Sequence, residues 1–307
     1  MFDLVIVGGG PAGCAAAVYA ARKLLKTALV TETFGGQSIV SPDIENWIGT
    51  PHISGDDLAK SLEAHVRTYA GDVVTIMDGR RVTKVTSEEG CYLVLLDNGD
   101  SIKTRTALVA SGGSRRKLSV PGAAEFDQKG LTYCASCDGP LFSGQDVAVI
   151  GGGNAGFETA AQLLAYAKSV TLIHKNNTYA ADPVTVEKVL AHPNMRGVTD
   201  AVTLEVIGEK FVKGLKYKDT KTGMEHTLPV TGVFVEIGLV PSTDYVDGLI
   251  DLDQIKRVVI DPRTQRTSME GVWAAGDCTN ELYHQNNIAA GDAVKALEDI
   301  YIYLKTK

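Results

Sequence analysis

The sequence has no apolar run long enough to cross a bilayer and no basic block longer than three residues. Its 307 residues carry a formal net charge of −7, which argues against nucleic acid as a partner. The short basic cluster at residues 115–117 is predicted to be a solvated linker. These absences exclude a membrane-spanning protein and a nucleic-acid-binding protein. Hydrophobic residues make up 44% of the chain, so it is predicted to be a globular protein long enough for two medium domains.

Cysteine is also scarce, with five residues in the whole chain. An odd number with one close pair fits a reducing compartment, in which a disulfide is catalytic and not structural. The first predicted strand starts at Phe2, so we expect no cleavable signal peptide and a cytoplasmic protein. Cys14, Cys91 and Cys278 are scattered and no His-x-x-x-His pair accompanies them, so the sequence predicts no metal site.

The close pair is Cys134 and Cys137, followed directly by Asp138. Two cysteines separated by two residues can close a reducible disulfide, which favours redox chemistry. The alternative, half of a zinc site, needs two further ligands that the spacing does not offer. A carboxyl at position 138 is placed to pass a proton to or from a thiolate during exchange. The alternative for Asp138, an ordinary turn before a Gly-Pro pair, stays open.

A glycine-rich motif, Gly-Gly-Gly-Pro-Ala-Gly at residues 8–13, follows an apolar run at residues 4–7 and precedes a helix-like stretch at residues 14–21. Strand, glycine turn and helix form the context of a dinucleotide-binding fingerprint. In that fingerprint, backbone amides and the helix N-terminus face a pyrophosphate. After the next predicted strand, residues 26–31, Glu32 is placed to accept hydrogen bonds from an adenosine ribose.

A second copy of the motif, Gly-Gly-Gly-Asn-Ala-Gly at residues 151–156, follows an apolar run at residues 147–150 and precedes a predicted helix at residues 157–167. The next predicted strand, residues 169–173, ends at His174. A site for NAD normally offers an acid to the ribose at this point, and a site for NADP offers arginine to the 2′-phosphate. This chain offers a histidine and one lysine, so its residues leave NADPH and NADH open as the second carrier and favour neither.

Predicted strands alternate with predicted helices, which indicates parallel sheets with helices on their faces. Short alternating runs at residues 90–96 and 101–109 are predicted to form a small antiparallel insert. Two breaks in the pattern contain glycine or proline, at residues 110–114 and 238–242. Cys134, Cys137 and the second glycine motif lie between them. The predicted fold class is therefore α/β, with two Rossmann-like three-layer nucleotide-binding domains, one inserted into the other. The discontinuous domain is predicted to cover residues 1–113 and 242–307, and the inserted domain residues 114–241.

In this order along the chain, the motifs resemble those of the low-molecular-weight thioredoxin reductases and of the similar flavoprotein component of alkyl hydroperoxide reductase. The resemblance runs from Phe2 to about Leu304. It implies FAD on the discontinuous domain, a pyridine-nucleotide-like inserted domain with a redox disulfide, a thioredoxin or thioredoxin-like acceptor, and a homodimer. The matching features are the two glycine motifs, Gly35-Gly36-Gln37, Glu45-Asn46-Trp47, the segment from Cys134 to Asp138, Gly276-Asp277 and Tyr283-His284-Gln285.

The resemblance also assigns residues to cofactors. It implies that Gln285 lies at the pyrimidine end of the flavin, where the N-terminus of the last predicted helix would stabilise negative charge on the reduced ring. Taken alone, Gly36 is also explained by a simple turn and Asn46 by a cap. The residues implied to hold FAD are Gly8, Gly10, Pro11, Ala12, Gly13, Glu32, Gly36, Gln37, Asn46, Ala110, Gly112, Asp277, His284 and Gln285. The corresponding residues of a second nucleotide site are Gly151, Gly153 and Gly156.

For the chemistry, the resemblance implies that Cys134 faces the protein partner and Cys137 faces the flavin, with Asp138 as an acid–base helper. One disulfide cannot touch a buried flavin and a protein partner at once, so we expect the inserted domain to rotate about its two linkers. The aromatic residues Tyr301 and Tyr303 are expected either to pack at the end of the last helix or to cover a flavin face.

The segment after the strand at residues 169–173 departs from the pattern of the NADPH-dependent family members. Residues 174–180 read His-Lys-Asn-Asn-Thr-Tyr-Ala, with no arginine before Arg196 and no acid at position 174. A guanidinium fork for a 2′-phosphate is therefore missing. Similar members have lost the nicotinamide site and take electrons from ferredoxin, from a reduced deazaflavin or through a second flavin. Ferredoxin is therefore a candidate donor for this chain.

Two other functions fit parts of the pattern. The flavoprotein of a peroxide-reducing system has the same chemistry, but it normally carries an additional N-terminal thioredoxin-like domain that we do not expect here. A flavin-binding redox sensor without turnover is the third interpretation, and the intact Cys134 and Cys137 argue against it. We therefore expect an FAD-dependent disulfide oxidoreductase that acts on a thioredoxin-like protein.

Overall fold

The computed structural model describes residues 1–41 and 43–306, so Lys307, the last residue of the predicted discontinuous domain, lies outside the described residues. The chain divides into two compact units, the first made of Met1–Ser114 with Val240–Lys307 and the second of Arg115–Leu239. Both units contain parallel sheets with helices between their strands, which confirms the predicted α/β fold class. The predicted domain boundaries themselves stay a prediction.

The helices and strands are numbered along the chain. Up to the first crossing between units they are β1 (Phe2–Gly9), α1 (Pro11–Arg22), β2 (Thr27–Phe34), α2 (Gly55–Ala70), β3 (Val74–Asp78), β4 (Val82–Glu88), β5 (Cys91–Leu96), β6 (Ser101–Val109) and β7 (Gly113–Arg115). The second unit then contains β8 (Leu131–Thr132), α3 (Ala135–Asp138), β9 (Asp146–Ile150), α4 (Asn154–Leu163), β10 (Ser169–Ile173), α5 (Pro183–Leu190), β11 (Met195–Val198), β12 (Ala201–Gly208), β13 (Val212–Asp219), β14 (Glu225–Leu228) and β15 (Gly232–Val235). The remaining elements are β16 (Leu239–Pro241), β17 (Val272–Ala274) and α6 (Asn286–Thr306).

The sheet of the first unit has the strand order β3-β2-β1-β6-β5-β4, with β17 also paired to β6. β3, β2, β1, β6 and β17 run parallel, whereas β5 pairs with both β4 and β6 in the antiparallel sense. The predicted antiparallel insert is therefore correct for β5. The interpretation of residues 101–109 was incomplete, because β6 continues as a central strand whose residues 106–109 are buried between β1 and β17.

The core of the first unit is built by helices with small side chains. α1 presents Ala16, Ala17 and Ala20, which are fully buried, to the same core as α6. Because alanine adds little bulk, the two helices pack closely on the sheet. Trp273 on β17 is also buried, and its Nε1 donates to Asp299 at 2.9 Å.

Tyr301 and Tyr303 both lie within α6. The ring of Tyr303 packs edge-on against the Trp273 ring, with centroids 5.3 Å apart. The Nζ of Lys23 lies 4.6 Å from the centre of the Tyr301 ring. These contacts favour the packing interpretation of the aromatic tail over a cover for the flavin.

The second unit has a parallel sheet with the order β11-β10-β9-β15-β8 and a separate antiparallel sheet, β12-β13-β14. Its segment β9-α4-β10 repeats the arrangement β1-α1-β2 of the first unit, each with a glycine motif between strand and helix. Within residues 1–41 and 43–306, no helix combines the length and the apolar character that a membrane span requires.

Replacing Gly13 by alanine should destabilise the first unit, because the new Cβ would lie 1.7 Å from the carbonyl oxygen of Gly8. Overpacking of this kind costs about 1–3 kcal/mol. Gly10→Ala is the matched control, since its Cβ would meet only the Cα of Gly36, at 3.8 Å. Thermal unfolding should give a lower Tm for Gly13→Ala alone, and equal Tm values for the two variants would contradict the close contact.

Candidate active site

The turn between β1 and α1 packs backbone against backbone. Gly8 has a φ of +115°, and a Cβ there would lie 2.3 Å from the carbonyl oxygen of Ala110, just after β6. α1 begins with Pro11, and its N-cap, Gly10, provides no side-chain cap. A helix start of this kind leaves backbone N–H groups available to an anion. The turn therefore has the form that a pyrophosphate needs.

A cavity of about 510 Å³ lies against this turn in the first unit. Its volume is within the usual range of ligand pockets, about 300–1,000 Å³. The residues predicted to hold FAD that line it are Gly8, Gly10, Pro11, Ala12, Glu32, Gly36, Gln37, Ala110, Gly112 and Asp277. Because this lining combines a side-chain-free turn with an exposed carboxylate at Glu32, the residues present fit the pyrophosphate and ribose of FAD.

The other predicted FAD residues, Gly13, Asn46, His284 and Gln285, are not among the lining residues. Gly13 packs beneath the turn on Gly8. The Nδ2 of Asn46 donates to the Oε1 of Gln285 at 3.2 Å, and its carbonyl accepts from the Nδ2 of Asn287 at 2.7 Å. These bonds fasten the loop around Asn46 to the start of α6. The Nε2 of His284 is buried and has no hydrogen-bond partner in the described part of the chain.

Sequence reasoning missed several residues that line the cavity, among them Arg80, Arg81 and Tyr245. The hydroxyl of Tyr245 donates to the Oγ of Ser111 at 3.0 Å, and that Oγ donates to the carbonyl of Ser242 at 2.6 Å. Burial raises the pKa of Tyr245 above its ordinary value, so the phenol stays protonated. These residues follow strands but belong to no motif, and this left no local signal to select them.

In the second unit, Cys134 and Cys137 are joined in a disulfide, with their Cα atoms 5.3 Å apart. Cys134 is the N-cap of α3, and its Sγ accepts a hydrogen bond from the backbone N of Cys137 at 3.2 Å. Cys137 is exposed, whereas Cys134 is half-buried. The predicted redox pair is therefore bonded and reachable from solvent.

Asp138 lies next to this disulfide and is held by Thr132. The Oγ1 of Thr132 donates to the Asp138 carboxylate and accepts from the backbone N of Cys134 at 3.3 Å. Burial raises the pKa of Asp138, and the Thr132 hydrogen bond opposes this shift without cancelling it. Asp138 therefore holds its proton to a higher pH than an ordinary carboxyl, as a general acid requires. Thr132 is a site residue that no sequence motif indicated.

The remaining cysteines lie in two kinds of environment. Cys14 and Cys278 are buried, and burial is the main reason that the pKa of each rises to about 12. The Sγ of Cys14 donates to the carbonyl of Gly9 at 3.2 Å. Cys91 is half-buried on β5.

We expect thiol titration to separate these environments. In the oxidised native protein only Cys91 should react with a thiol reagent, because thiolate is the reactive form and the buried thiols stay protonated. Unfolding without reductant should make Cys14 and Cys278 reactive as well. Reductant should then make Cys134 and Cys137 reactive, because it breaks their disulfide. Reaction of the latter two before any reduction would contradict the disulfide.

The second glycine motif keeps the same backbone contact as the first. Gly151 has a φ of +124°, and a Cβ at Gly156 would lie 1.9 Å from the carbonyl oxygen of Gly151. Gly153 is the N-cap of α4 without a side-chain cap, and a Cβ there would meet nothing within 4 Å. The shape that suits a pyrophosphate is thus retained in this loop.

His174, after β10, is buried beside this loop. Its Nδ1 lies 3.1 Å from the backbone N of Gly152, and its Nε2 lies 3.0 Å from the carbonyl oxygen of Thr178. These partners require Nδ1 to accept and Nε2 to donate, which is the pattern of a neutral imidazole. With both nitrogens engaged, His174 offers nothing to a ribose phosphate. Lys175 is then the only cation of residues 174–180.

Within residues 1–41 and 43–306, one group of three potential metal ligands comes together, namely Asp43, Glu45 and His52. All three are exposed, and the Nδ1 of His52 lies 3.0 Å from a carboxylate oxygen of Asp43. This hydrogen bond raises the pKa of His52. A surface ion pair accounts for the group, and no metal is assigned to it.

Comparison with known proteins places these features in a family. A family model described as pyridine nucleotide-disulphide oxidoreductase matches residues 2–293. The chain is 43% identical over 296 residues to a component of the alkyl hydroperoxide reductase of Pseudomonas putida, and the match covers 96% of the chain and 56% of that protein. It is 40% identical over 303 residues to a protein named NADH dehydrogenase from Bacillus subtilis, with coverage of 99% and 58%.

A solved structure, the thioredoxin reductase from Streptococcus pyogenes, is similar to this chain with a TM-score of 0.91 and 33% identity. That match covers 100% of this chain and 99% of the other. The chain therefore spans little more than half the length of the curated relatives it matches, but the full length of this structural neighbour.

Proposed function

The chain belongs to the pyridine nucleotide-disulphide oxidoreductase family, and we propose that it is an FAD-dependent reductase of thioredoxin or a thioredoxin-like protein. Family membership confirms the resemblance predicted from the motifs and makes the chain a flavoprotein oxidoreductase. The proposal of a thioredoxin-like acceptor rests on the solvent-accessible Cys134–Cys137 disulfide, with Asp138 beside it. The cavity of the first unit supports a flavin dinucleotide as the cofactor.

In this proposal the turn at residues 8–13 binds the pyrophosphate of FAD through backbone N–H groups, and Glu32 binds the adenosine ribose. Asp277 and the N-terminus of α6, where Asn286 and Ala289 line the cavity, would hold the flavin half of the cofactor. When bound, FAD supplies a two-electron carrier that can reduce a disulfide. The assignments of Asn46, His284 and Gln285 to the cofactor remain part of the same proposal.

The exchange with the protein partner starts from the reduced pair. The Cys134 thiolate attacks one sulfur of the partner's disulfide, forming a mixed disulfide and releasing the other partner sulfur as a thiolate. Cys137, as thiolate, then attacks the Cys134 sulfur, which re-forms the Cys134–Cys137 bond and releases the second partner sulfur. Two electrons pass to the partner, and the two released thiolates take up protons.

The serine variants of the two cysteines should differ in whether they accumulate a mixed disulfide with thioredoxin. Cys134→Ser and Cys137→Ser should each abolish reduction of thioredoxin while FAD binding is retained. Only Cys137→Ser should accumulate a mixed disulfide with thioredoxin, because Cys134 attacks and nothing resolves the product. Cys91→Ser is the matched control and should keep normal turnover.

Non-reducing electrophoresis with mass spectrometry identifies the trapped species. A mixed disulfide that forms through Cys137 in the Cys134→Ser protein would reverse the assigned roles. This outcome is a real alternative, because Cys137 is the more exposed of the two in the oxidised protein. Near-normal thioredoxin reduction by Cys137→Ser would refute the dithiol mechanism.

Asp138→Asn should lower turnover by about 10²-fold to 10⁴-fold if the carboxyl passes a proton to a departing thiolate. The same variant should be more stable than the parent at neutral pH. A raised pKa in the folded state contributes stability at low pH that is lost as pH rises through that pKa, and asparagine removes this loss. Thermal unfolding and turnover from about pH 4, near the ordinary pKa of aspartate, to pH 9 test both parts. Unchanged activity with raised stability would make Asp138 a structural residue only.

The electron donor is the second part of the proposal. We infer that both nicotinamide dinucleotides are poor donors, because His174 uses both ring nitrogens within the protein and Lys175 is the only cation of the segment at residues 174–180. Each charge-assisted hydrogen bond to a 2′-phosphate contributes about 1.5–3 kcal/mol. A chain without an arginine fork lacks much of this binding free energy. Ferredoxin or a reduced deazaflavin then becomes the favoured donor.

NADPH and NADH should reduce this protein with an efficiency at least about a hundredfold below the usual 10⁴–10⁸ M⁻¹s⁻¹. Asn176→Arg, at an exposed position of the same segment, should raise the efficiency with NADPH but not with NADH, because it adds a partner for the 2′-phosphate. Anaerobic flavin reduction by NADPH, NADH and reduced ferredoxin in turn measures this. Rapid, saturable reduction of the unaltered protein by micromolar NADPH would overturn the donor proposal, and the similar protein named NADH dehydrogenase makes NADH the first competitor to examine.

A peroxide-reducing system is the second candidate function, favoured by the 43% identity to the alkyl hydroperoxide reductase component of Pseudomonas putida. The chemistry at Cys134 and Cys137 is the same, and only the acceptor differs. Comparing reduction of thioredoxin with reduction of a separately supplied N-terminal thioredoxin-like domain of such a protein distinguishes the two. Light scattering of the FAD-loaded protein tests the predicted homodimer.

A further inference from the structure

We propose that Arg80 and Arg81 bind the adenosine half of the cofactor and thereby select FAD over FMN. This inference deepens the proposed function and rests on it. Both arginines follow β3 and line the cavity of the first unit. No sequence motif indicated either of them.

Strand order gives the position of the two arginines in the cavity. The parallel strands β3, β2 and β1 lie side by side. Arg80 and Arg81 follow β3, Glu32 lies in the last three residues of β2, which runs on to Phe34 beyond the predicted strand, and the glycine turn follows β1. The backbone N of Arg80 donates to the carbonyl of Thr31, the residue before Glu32, at 3.0 Å. The arginines therefore lie beyond the ribose-binding carboxylate, on the side away from Asp277 and α6.

This position favours adenine over the pyrophosphate as the group they contact. Neighbouring strands lie about 4.8 Å apart, so the end of β3 is about two spacings, or roughly 10 Å, from the turn after β1. A dinucleotide with its pyrophosphate at the glycine turn and its ribose at Glu32 would place its adenine ring near the end of β3. Guanidinium groups stack on flat aromatic faces, which suits adenine directly.

The charge environment supports a ligand for these side chains. Among the described residues, neither guanidinium has an ion pair or a side-chain hydrogen bond, and both residues are exposed. Nearby Arg67, by contrast, pairs with Glu63 and Asp78 at 2.7 and 3.1 Å. Arg80 and Arg81 are also the only basic residues among the described residues that line the cavity. Two cations without protein partners at the adenosine end are thus available to a bound nucleotide.

Binding of FAD, FMN and ADP to the flavin-free protein tests the proposal. The double variant Arg80→Ala with Arg81→Ala should bind FAD and ADP with an affinity at least about tenfold lower than that of the parent. FMN, which lacks adenosine, should bind to the variant and to the parent with the same affinity. Changing both arginines to lysine should restore only part of the affinity, because lysine keeps the positive charge but lacks the planar guanidinium group that stacks on adenine. Arg263→Ala, an exposed arginine of the same unit outside the cavity lining, is the matched control.

Flavin fluorescence quenching gives the FAD and FMN affinities, and calorimetry gives the ADP affinity. Equal losses for FAD and FMN, or unchanged FAD and ADP binding in the double variant, would overturn the proposal. Full rescue by the lysine variant would show that charge alone acts and would overturn the stacking role. If the unaltered protein binds ADP but no flavin, the proposed function fails, while the ADP measurements still decide the role of the arginines.

Discussion

Two contacts between backbone atoms, one in each unit, set how closely a strand, a turn and a helix pack at the two glycine motifs. At Gly13 and at Gly156, a Cβ would lie less than 2 Å from the carbonyl oxygen of the first glycine of the same turn. Only a chain without side chains at these points lets a strand, a tight turn and a helix stack so closely. The close stacking leaves the uncapped N-termini of α1 and α4 as potential anion sites.

The two turns are alike, and what surrounds them differs. The first opens on a cavity whose lining includes Glu32 and Asp277, two of the residues that a flavin dinucleotide would use. Beside the second turn, His174 is hydrogen-bonded to Gly152 and Thr178, and the segment after β10 contains a single lysine. In the proposed function, the same backbone turn serves two sites with different chemical selectivity. The side chains at the strand ends, and not the glycines, would then determine which nucleotide each site binds.

Local patterns were enough to predict much of the fold. The strand at residues 169–173 matches β10, and the helix expected from about Gln285 begins at Asn286. Both are set by their own residues, through apolar periodicity and short-range turns. The double role of β6 could not be predicted, because its pairing with β1 and β17 depends on segments about 100 and 160 residues away in sequence.

The candidate site follows the same division. Motif residues such as Gly8, Glu32, Cys134 and Cys137 were found because their chemistry needs fixed spacing. Tyr245 was missed because its hydrogen bond to Ser111 joins segments 134 residues apart in sequence. Thr132 and the two arginines after β3 were missed because they lie at or just after the ends of strands, at positions that any polar residue can occupy.

The proposed function requires that electrons pass from a flavin bound in the first unit to the Cys134–Cys137 disulfide of the second. Anaerobic titration of the FAD-loaded protein with dithionite, followed by absorbance and by thiol content, tests this most directly. We expect the unaltered protein to take up two electrons for the flavin and two for the disulfide, and the double variant Cys134→Ser with Cys137→Ser to take up only the two electrons for the flavin. Full reduction of the flavin without the appearance of the two new thiols would contradict this expectation.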